Sequence, residues 1–463
     1  MDRLNVARYV KDRLAELVHG IRFQDLPPEV VQAAKRVILD TLACASGAMR
    51  SDPAAIVRGV AHQLGGNPEA TLIGGGKTSC ALATLVNGTL MRYLDNNDYY
   101  FGLDSGHPSG NLAPALAVAE KAGRSGADVI AALVAAYEIQ IRFCDFVGAP
   151  GISARGWHTG THTQFSSAAL AGRLLSDDPT VTSHALAIAG SHNNTLAQAQ
   201  RGHIPLMKAT AEAAIAKGGV EAALLAAGGL TGPDEVFEGV AGWVNIVAGT
   251  ADFDALTAPV GGHYRMLDTC LKPYAAVAGA MAPIRAAIDL ATQEKLRPAD
   301  IVSVTIKLHA HAVKKATDPK KNYPRDKETA DHSYHYCIAA ALLDAACGPA
   351  QFEDARIAAE DIRELIAVTS LEADAELTAL WPASSGGGVV VRLRDSRELK
   401  RTYPYPPGHP KNQMTDADVE RKLFDLTDGV LTNARTQQIV EAVGRFERCD
   451  RVGDVLGLCA IDA

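Results

Sequence analysis

Two stretches of this chain, Ala127–Tyr137 and Ala213–Ala227, are apolar on almost every helical face. A helix of that kind has no side to show to water, so each must lie inside a bundle of other helices. Alanine and glycine at the contacts let neighbouring axes approach closely. Aromatic residues are only 5% and glycines number 41, which favours packed helices over a large β-sandwich.

Helical spacing recurs through the first two-thirds of the chain. Pro27–Met49 opens with proline and repeats apolar residues at Val30, Ala34, Val37, Ile38 and Leu42. Further helices are predicted at 112–121, 127–147, 165–175, 183–200, 209–227 and 275–290. After about Leu290 the period shifts to two: Asp300–Leu308 and Ile366–Thr369 alternate, and 387–403 reads as a hairpin turning at Asp395-Ser396. A helix near 336–346 lies among these strands, and helical spacing returns at 415–426 and 434–445. At 463 residues the chain is too long for one core. The fold class is therefore mainly α: a large all-helical domain, residues 1–265 and 406–463, with a smaller α+β lid domain, 266–405, inserted in it.

Hydrophobic residues at 47%, charged residues at 21% and a net charge of −8 describe a soluble globular protein. No Lys/Arg stripe interleaved with aromatics predicts a nucleic-acid partner, and no run of 18 uncharged apolar residues predicts a membrane span. The first 18 residues read as an amphipathic helix rather than a signal peptide, because Asp2, Lys11, Asp12 and Glu16 break any apolar run. The eight cysteines are scattered with no CxxC, as expected of buried thiols in a cytoplasmic protein.

Polar residues gather in five segments beside helix starts. The first runs Asp95-Asn96-Asn97-Asp98-Tyr99-Tyr100 and continues to His107-Pro108-Ser109-Gly110-Asn111, where Ser109 or Asn111 could cap the next helix. The second holds His158 and His162, whose spacing resembles a metal pair, but Gly160 between them argues against a shared helix and no third ligand follows. The third is Gln200-Arg201-Gly202-His203, with Lys208 opening an apolar helix; a lysine there must snorkel, pair or meet an anion. The fourth places Lys272 before an alanine-rich helix, and the fifth, Glu328-Thr329-Ala330-Asp331-His332-Ser333-Tyr334-His335-Tyr336-Cys337, leads into another. Lysines, histidines and helix N-termini converging on one pocket would favour a di- or tricarboxylate, with an aspartate and a tyrosine for proton transfer.

These segments carry a resemblance. MRYLDNNDYYFGLDSGHPSGNLAPALAVAE, RGWHTGTHTQFSSAALAGRLL, GLTGPDEVFEGVAGW, LKPYAAV and KETADHSYHYCIAAALLD are similar to the MmgE/PrpD family, which includes 2-methylcitrate dehydratases, cis-aconitate decarboxylase and iminodisuccinate epimerase. The resemblance implies a helical domain plus a smaller α+β domain with the site between them, a homodimer, and no metal or organic cofactor. It implies Asp95, His107, His158, Lys208, Lys272 and Tyr336 as catalytic residues. Asn97, Tyr99, Ser109 and Arg201, from the same segments, are the candidate substrate-binding residues. Tyr99 stands where relatives often carry threonine or cysteine. The expected activity is a hydro-lyase acting on a 2-methylcitrate-like tricarboxylic acid. The alternatives are an epimerase, a decarboxylase, or a carboxylate-binding scaffold without catalysis.

Overall fold

The computed structural model describes residues 8–294, 296–316 and 318–461. The expected N-terminal helix is present as α1 (Val10–Gly20); its first seven residues lie outside the described residues. Helices α2 (Pro28–Gly47) and α3 (Asp52–Leu64) follow, then a short pair, β1 (Ala70–Thr71) with β2 (Lys77–Thr78). Next come α4 (Cys80–Tyr93) and a second short pair, β3 (Tyr100–Phe101) with β4 (Ser105–Gly106). The helical run continues as α5 (Leu112–Ala122), α6 (Gly126–Phe146), α7 (Thr163–Leu175), α8 (Pro179–His192), α9 (Lys208–Ala227) and α10 (Phe253–Thr257).

The stretches apolar on nearly every face form α6, buried from Val129 to Cys144, and α9, which instead leaves Ala214, Glu221 and Leu225 exposed. Ser125 and Asp128 close a capping box at the start of α6, satisfying donors that a helix cannot satisfy itself. Helix α9 lies against α4, α7 and α8. Gly219 permits the approach to α7: a Cβ there would sit 2.1 Å from Ser167 Oγ.

Beyond residue 270 the chain mixes helices and strands: α11 (Met281–Gln293), β5 (Ile301–Leu308), α12 (Ala310–Ala316), α13 (Lys327–Ala330), α14 (Tyr334–Asp344), α15 (Asp354–Ile357), α16 (Glu360–Ala367), β6 (Thr369–Ala373), α17 (Ala375–Leu380), β7 (Gly387–Leu393) and β8 (Glu398–Tyr403). The sheet order is β6-β5-β7-β8, with β5 and β6 parallel and the other pairs antiparallel. On β5 the buried residues Val304, Ile306 and Leu308 alternate toward one face, and α11 packs on β7 and β8. Helices α18 (Asp416–Thr427), α19 (Asn433–Gly444) and α20 (Val452–Gly457) end the described chain. One apolar core joins residues between Val10 and Met266 to residues between Met414 and Cys459; a second holds Tyr99 and residues from Cys270 to Leu393. The fold is thus mainly α, with a smaller α+β part.

Local corrections have physical causes. The helix expected over 275–290 starts at Met281, because Pro283 lacks the N–H that a helix interior needs and fits only its first turn. Lys272 therefore sits in a loop, not at a helix start. The helix expected to reach Gln200 stops at His192, where Asn193 leaves helical geometry. Ile366 and Ala367 end α16, and the strand begins at Thr369. Neither Ser109 nor Asn111 caps α5: Ser109 Oγ accepts from Asn97, and the Asn111 amide donates to Pro108 O and Gln140. All eight cysteines are free thiols.

Candidate active site

Asp95 follows the end of α4 with φ +49°, an unusual left-handed conformation for a non-glycine residue. The turn leads into the buried segment Asn96–Asp98 and leaves the Asp95 carboxylate 2% exposed among cations. Lys272 Nζ lies 3.0 Å from Oδ1 and 2.8 Å from the main-chain oxygen of Asp95. Arg92 Nη1 approaches Oδ1 at 3.2 Å, Lys208 Nζ reaches Oδ2 at 3.4 Å, and His332 Nε2 reaches it at 3.5 Å. Burial alone would raise the pKa of this carboxyl, but Lys208, Lys272, His332 and Arg92 together hold it well below the ordinary carboxylate range. Asp95 is an anion here.

The two lysines differ in what they leave open. Lys272 is fully buried and donates to Asp95 O, Asp95 Oδ1 and Ala276 O. An ammonium has three protons, so Lys272 has none left for a ligand. Burial lowers it to about 8, against the pull of Asp95. Lys208, at the first position of α9, is 8% exposed and touches Asp95 at 3.4 Å and Asp331 Oδ1 at 3.9 Å. Among the described residues it makes no closer polar contact, so its protons remain available.

The two histidines present opposite tautomers. His107 Nδ1 lies 2.7 Å from Asp98 O, and a carbonyl only accepts, so Nδ1 carries the proton and Nε2 is a bare acceptor. His158 Nδ1 accepts from Gly160 N at 2.9 Å, so in the neutral ring Nε2 carries the proton, beside the Gln200 side-chain amide. Burial, then Arg92 and Lys272, lowers His107 well below its ordinary value; burial, then Arg92 and Lys208, lowers His158 to about 4. Both rings are neutral near pH 7 and both feel the Arg92 charge.

Asp95, His107, His158, Lys208 and Lys272 are thus brought together. Tyr336 is not: its ring lies against Phe352 in the second core and its hydroxyl donates to Gln351 O. Its segment contributes Asp331 and His332 instead. His332 Nδ1 pairs with Asp331, which also receives Lys327 Nζ at 2.8 Å. Asn97 and Ser109 are committed to the protein: Arg92 donates to Asn97 Oδ1, Asn97 Nδ2 to Ser109 Oγ at 2.7 Å, and Ser109 N to Asp98 Oδ1 at 3.0 Å. Tyr99 is buried in the second core, its backbone paired with Cys270, and Arg201 is exposed with a long contact to Ser153 O.

Several members of the cluster went unpredicted. Arg92 ion-pairs Glu212 at 2.7 Å, and Tyr137 donates to Asp98 at 2.6 Å. Lys422 of α18 donates to Asp40 Oδ1 at 2.6 Å, Asn96 O at 2.5 Å and Lys272 O at 2.7 Å. A lone charge in the otherwise apolar helix α4 was the available signal for Arg92; Lys422 sits on an amphipathic helix and gave none. Asp95, Asp331 and His332 offer ligand atoms within 4.8 Å of one another, a spacing that could hold a metal ion. The ammonium groups of Lys208, Lys272 and Lys327 already neutralise those carboxylates.

Two family models match the chain: the MmgE/PrpD N-terminal domain over residues 12–256 and the MmgE/PrpD C-terminal domain over 274–446. Among curated proteins the chain is similar to the cis-aconitate decarboxylase of Homo sapiens, 29% identical across 95% of this chain and 92% of that one. A cis-aconitate decarboxylase of Aspergillus terreus is 24% identical, across 96% and 95%. The 2-methylcitrate dehydratase-like protein oryR of Aspergillus oryzae is 26% identical, across 78% and 77%.

Proposed function

The chain belongs to the MmgE/PrpD family, and on that footing we propose that it is a lyase acting on a tricarboxylic acid of the cis-aconitate or 2-methylcitrate kind. The observation that carries this reading is one open ammonium, Lys208, in the same buried charge cluster as two neutral imidazoles of opposite tautomer, His107 and His158. Lys208 binds a substrate carboxylate and stabilises the charge that spreads onto it as a bond at the neighbouring carbon breaks. Lys272 acts one step back, fixing Asp95 and with it the position of Lys208.

Decarboxylation is the first reading, because decarboxylases match this chain over nearly their whole length. In that reaction the C–C bond to one carboxylate breaks, carbon dioxide leaves, and the electron pair passes into the remaining conjugated acid held by Lys208. A proton then closes the carbon. Dehydration is the second reading, favoured by the paired tautomers. His107 Nε2 takes the carbon-bound proton, while the His158 Nε2–H supports the departing hydroxyl by hydrogen bonding.

Proton NMR of the purified protein with cis-aconitate, 2-methylcitrate, citrate and iminodisuccinate tests both. Carbon dioxide release with a new methylene pair supports decarboxylation, and a new alkene without gas release supports dehydration. Inert spectra with every acid would falsify the proposal.

A further inference from the structure

A tricarboxylic acid carries three negative charges, yet the inner cluster leaves only Lys208 open. Lys272 is saturated, Arg92 is spent on Glu212, Asp95 and Asn97, and Lys327 on Asp331 and Tyr93 O. The other substrate charges must meet cations elsewhere.

One half-buried cation faces this cluster from the second part of the fold. Lys321 ends the short turn Pro319–Lys321, and among the described residues its Nζ reaches only Gln200 O, at a long 3.5 Å. Among the described residues no carboxylate lies within 4 Å of it. The side chain of the same Gln200 touches His158 Nε2. The charges acting on Lys321 are those of Asp318, Lys208 and Asp331, so it shares an electrostatic neighbourhood with the open lysine. Burial lowers its pKa, with Asp318 and Asp331 pulling the other way and Lys208 adding to the fall. Its position is anchored: Ile204 N donates to Thr329 Oγ1 at 3.3 Å, and His203 pairs with Asp326 at 3.1 Å. These contacts tie the Gln200–Ile204 loop to the segment that carries Lys321.

We propose that Lys321 binds a second carboxylate of the substrate and so selects tricarboxylic over dicarboxylic acids. An anion between Lys208 and Lys321 relieves their mutual repulsion and completes the donor set of both. The inference rests on the lyase reading above, because it assumes that Lys208 holds the first carboxylate.

The test is calorimetric binding of propane-1,2,3-tricarboxylate, which cannot react, and of glutarate, to the wild type, Lys321→Met and Lys321→Arg. Losing one charged hydrogen bond should weaken the tricarboxylate at least ~10-fold in Lys321→Met. The Arg variant should stay within about 3-fold, and glutarate should bind all three alike. With an active substrate, Lys321→Met should raise KM and leave kcat nearly unchanged. Equal tricarboxylate affinity in the wild type and Lys321→Met overturns the role of Lys321 and leaves the lyase reading standing. Absence of any carboxylate binding to the wild type overturns both.

Discussion

Lys272 holds Asp95 at two points, its Nζ lying 2.8 Å from the Asp95 main-chain oxygen and 3.0 Å from Oδ1. One ammonium thereby fixes a left-handed backbone turn together with the carboxylate that the turn presents. Asp95 in turn sets Lys208 and His332, so the geometry of the whole cluster passes through this pair.

Lys272→Met removes that hold and leaves Asp95 buried with fewer cations. Breaking a buried pair should destabilise the fold by about 3–5 kcal/mol. Activity at a temperature where the variant remains folded should fall by at least ~100-fold. Denaturant unfolding and steady-state kinetics on the same preparation check both numbers.

Lys272 also sets an alkaline limit. Burial lowers its pKa to about 8, so above that pH the ammonium loses a proton and Asp95 loses a donor. The logarithm of kcat/KM should decline above about pH 8, and a profile from pH 6 to 9.5 measures it. A flat profile through pH 9.5 would contradict the assignment.

His158 should make stability depend on pH on the acid side. Its folded pKa is lowered to about 4 from 6.5, so between these values the unfolded chain holds a proton that the native one does not. Stability therefore rises with pH through this window and is lost on acidification. Relative to His158→Gln, the wild type should lose about 2 kcal/mol more between pH 7 and 5. Chemical denaturation at the two pH values gives the difference.

Tyr336→Phe separates a core tyrosine from a catalytic one. Removing the hydroxyl leaves Gln351 O with one partner fewer, at a cost of about 1 kcal/mol. The rate should stay within about 3-fold of wild type. A much larger loss of kcat without unfolding would return Tyr336 to the reaction.

Periodicity made the helices legible because burial is written along nearly the whole of α6 and along three sides of α9. Lys208 was legible for the same reason: a charge at the start of an apolar helix has few places to go. The fifth polar segment was found, but Tyr336 was preferred within it to Asp331 and His332. Sequence spacing alone does not say which way a residue at a helix start turns. Pro283 carried a usable signal for the late start of α11, and the alanine-rich pattern outweighed it. Glu212 and Lys422 were invisible, because a charge on a helix reads as solvent-facing until the neighbouring helix is in place.

The contacts of Lys422 join residues far apart along the sequence: Asp40, Asn96 and Lys272, the last of them still 150 residues before the lysine. Three distant segments must come together in space before this bracket can close. Without α18 the clamp behind Asn96 and Lys272 is missing, although Asp95, His107, His158, Lys208 and Lys272 all lie outside that helix. The placement of Lys272 thereby depends on a helix 150 residues further along the sequence.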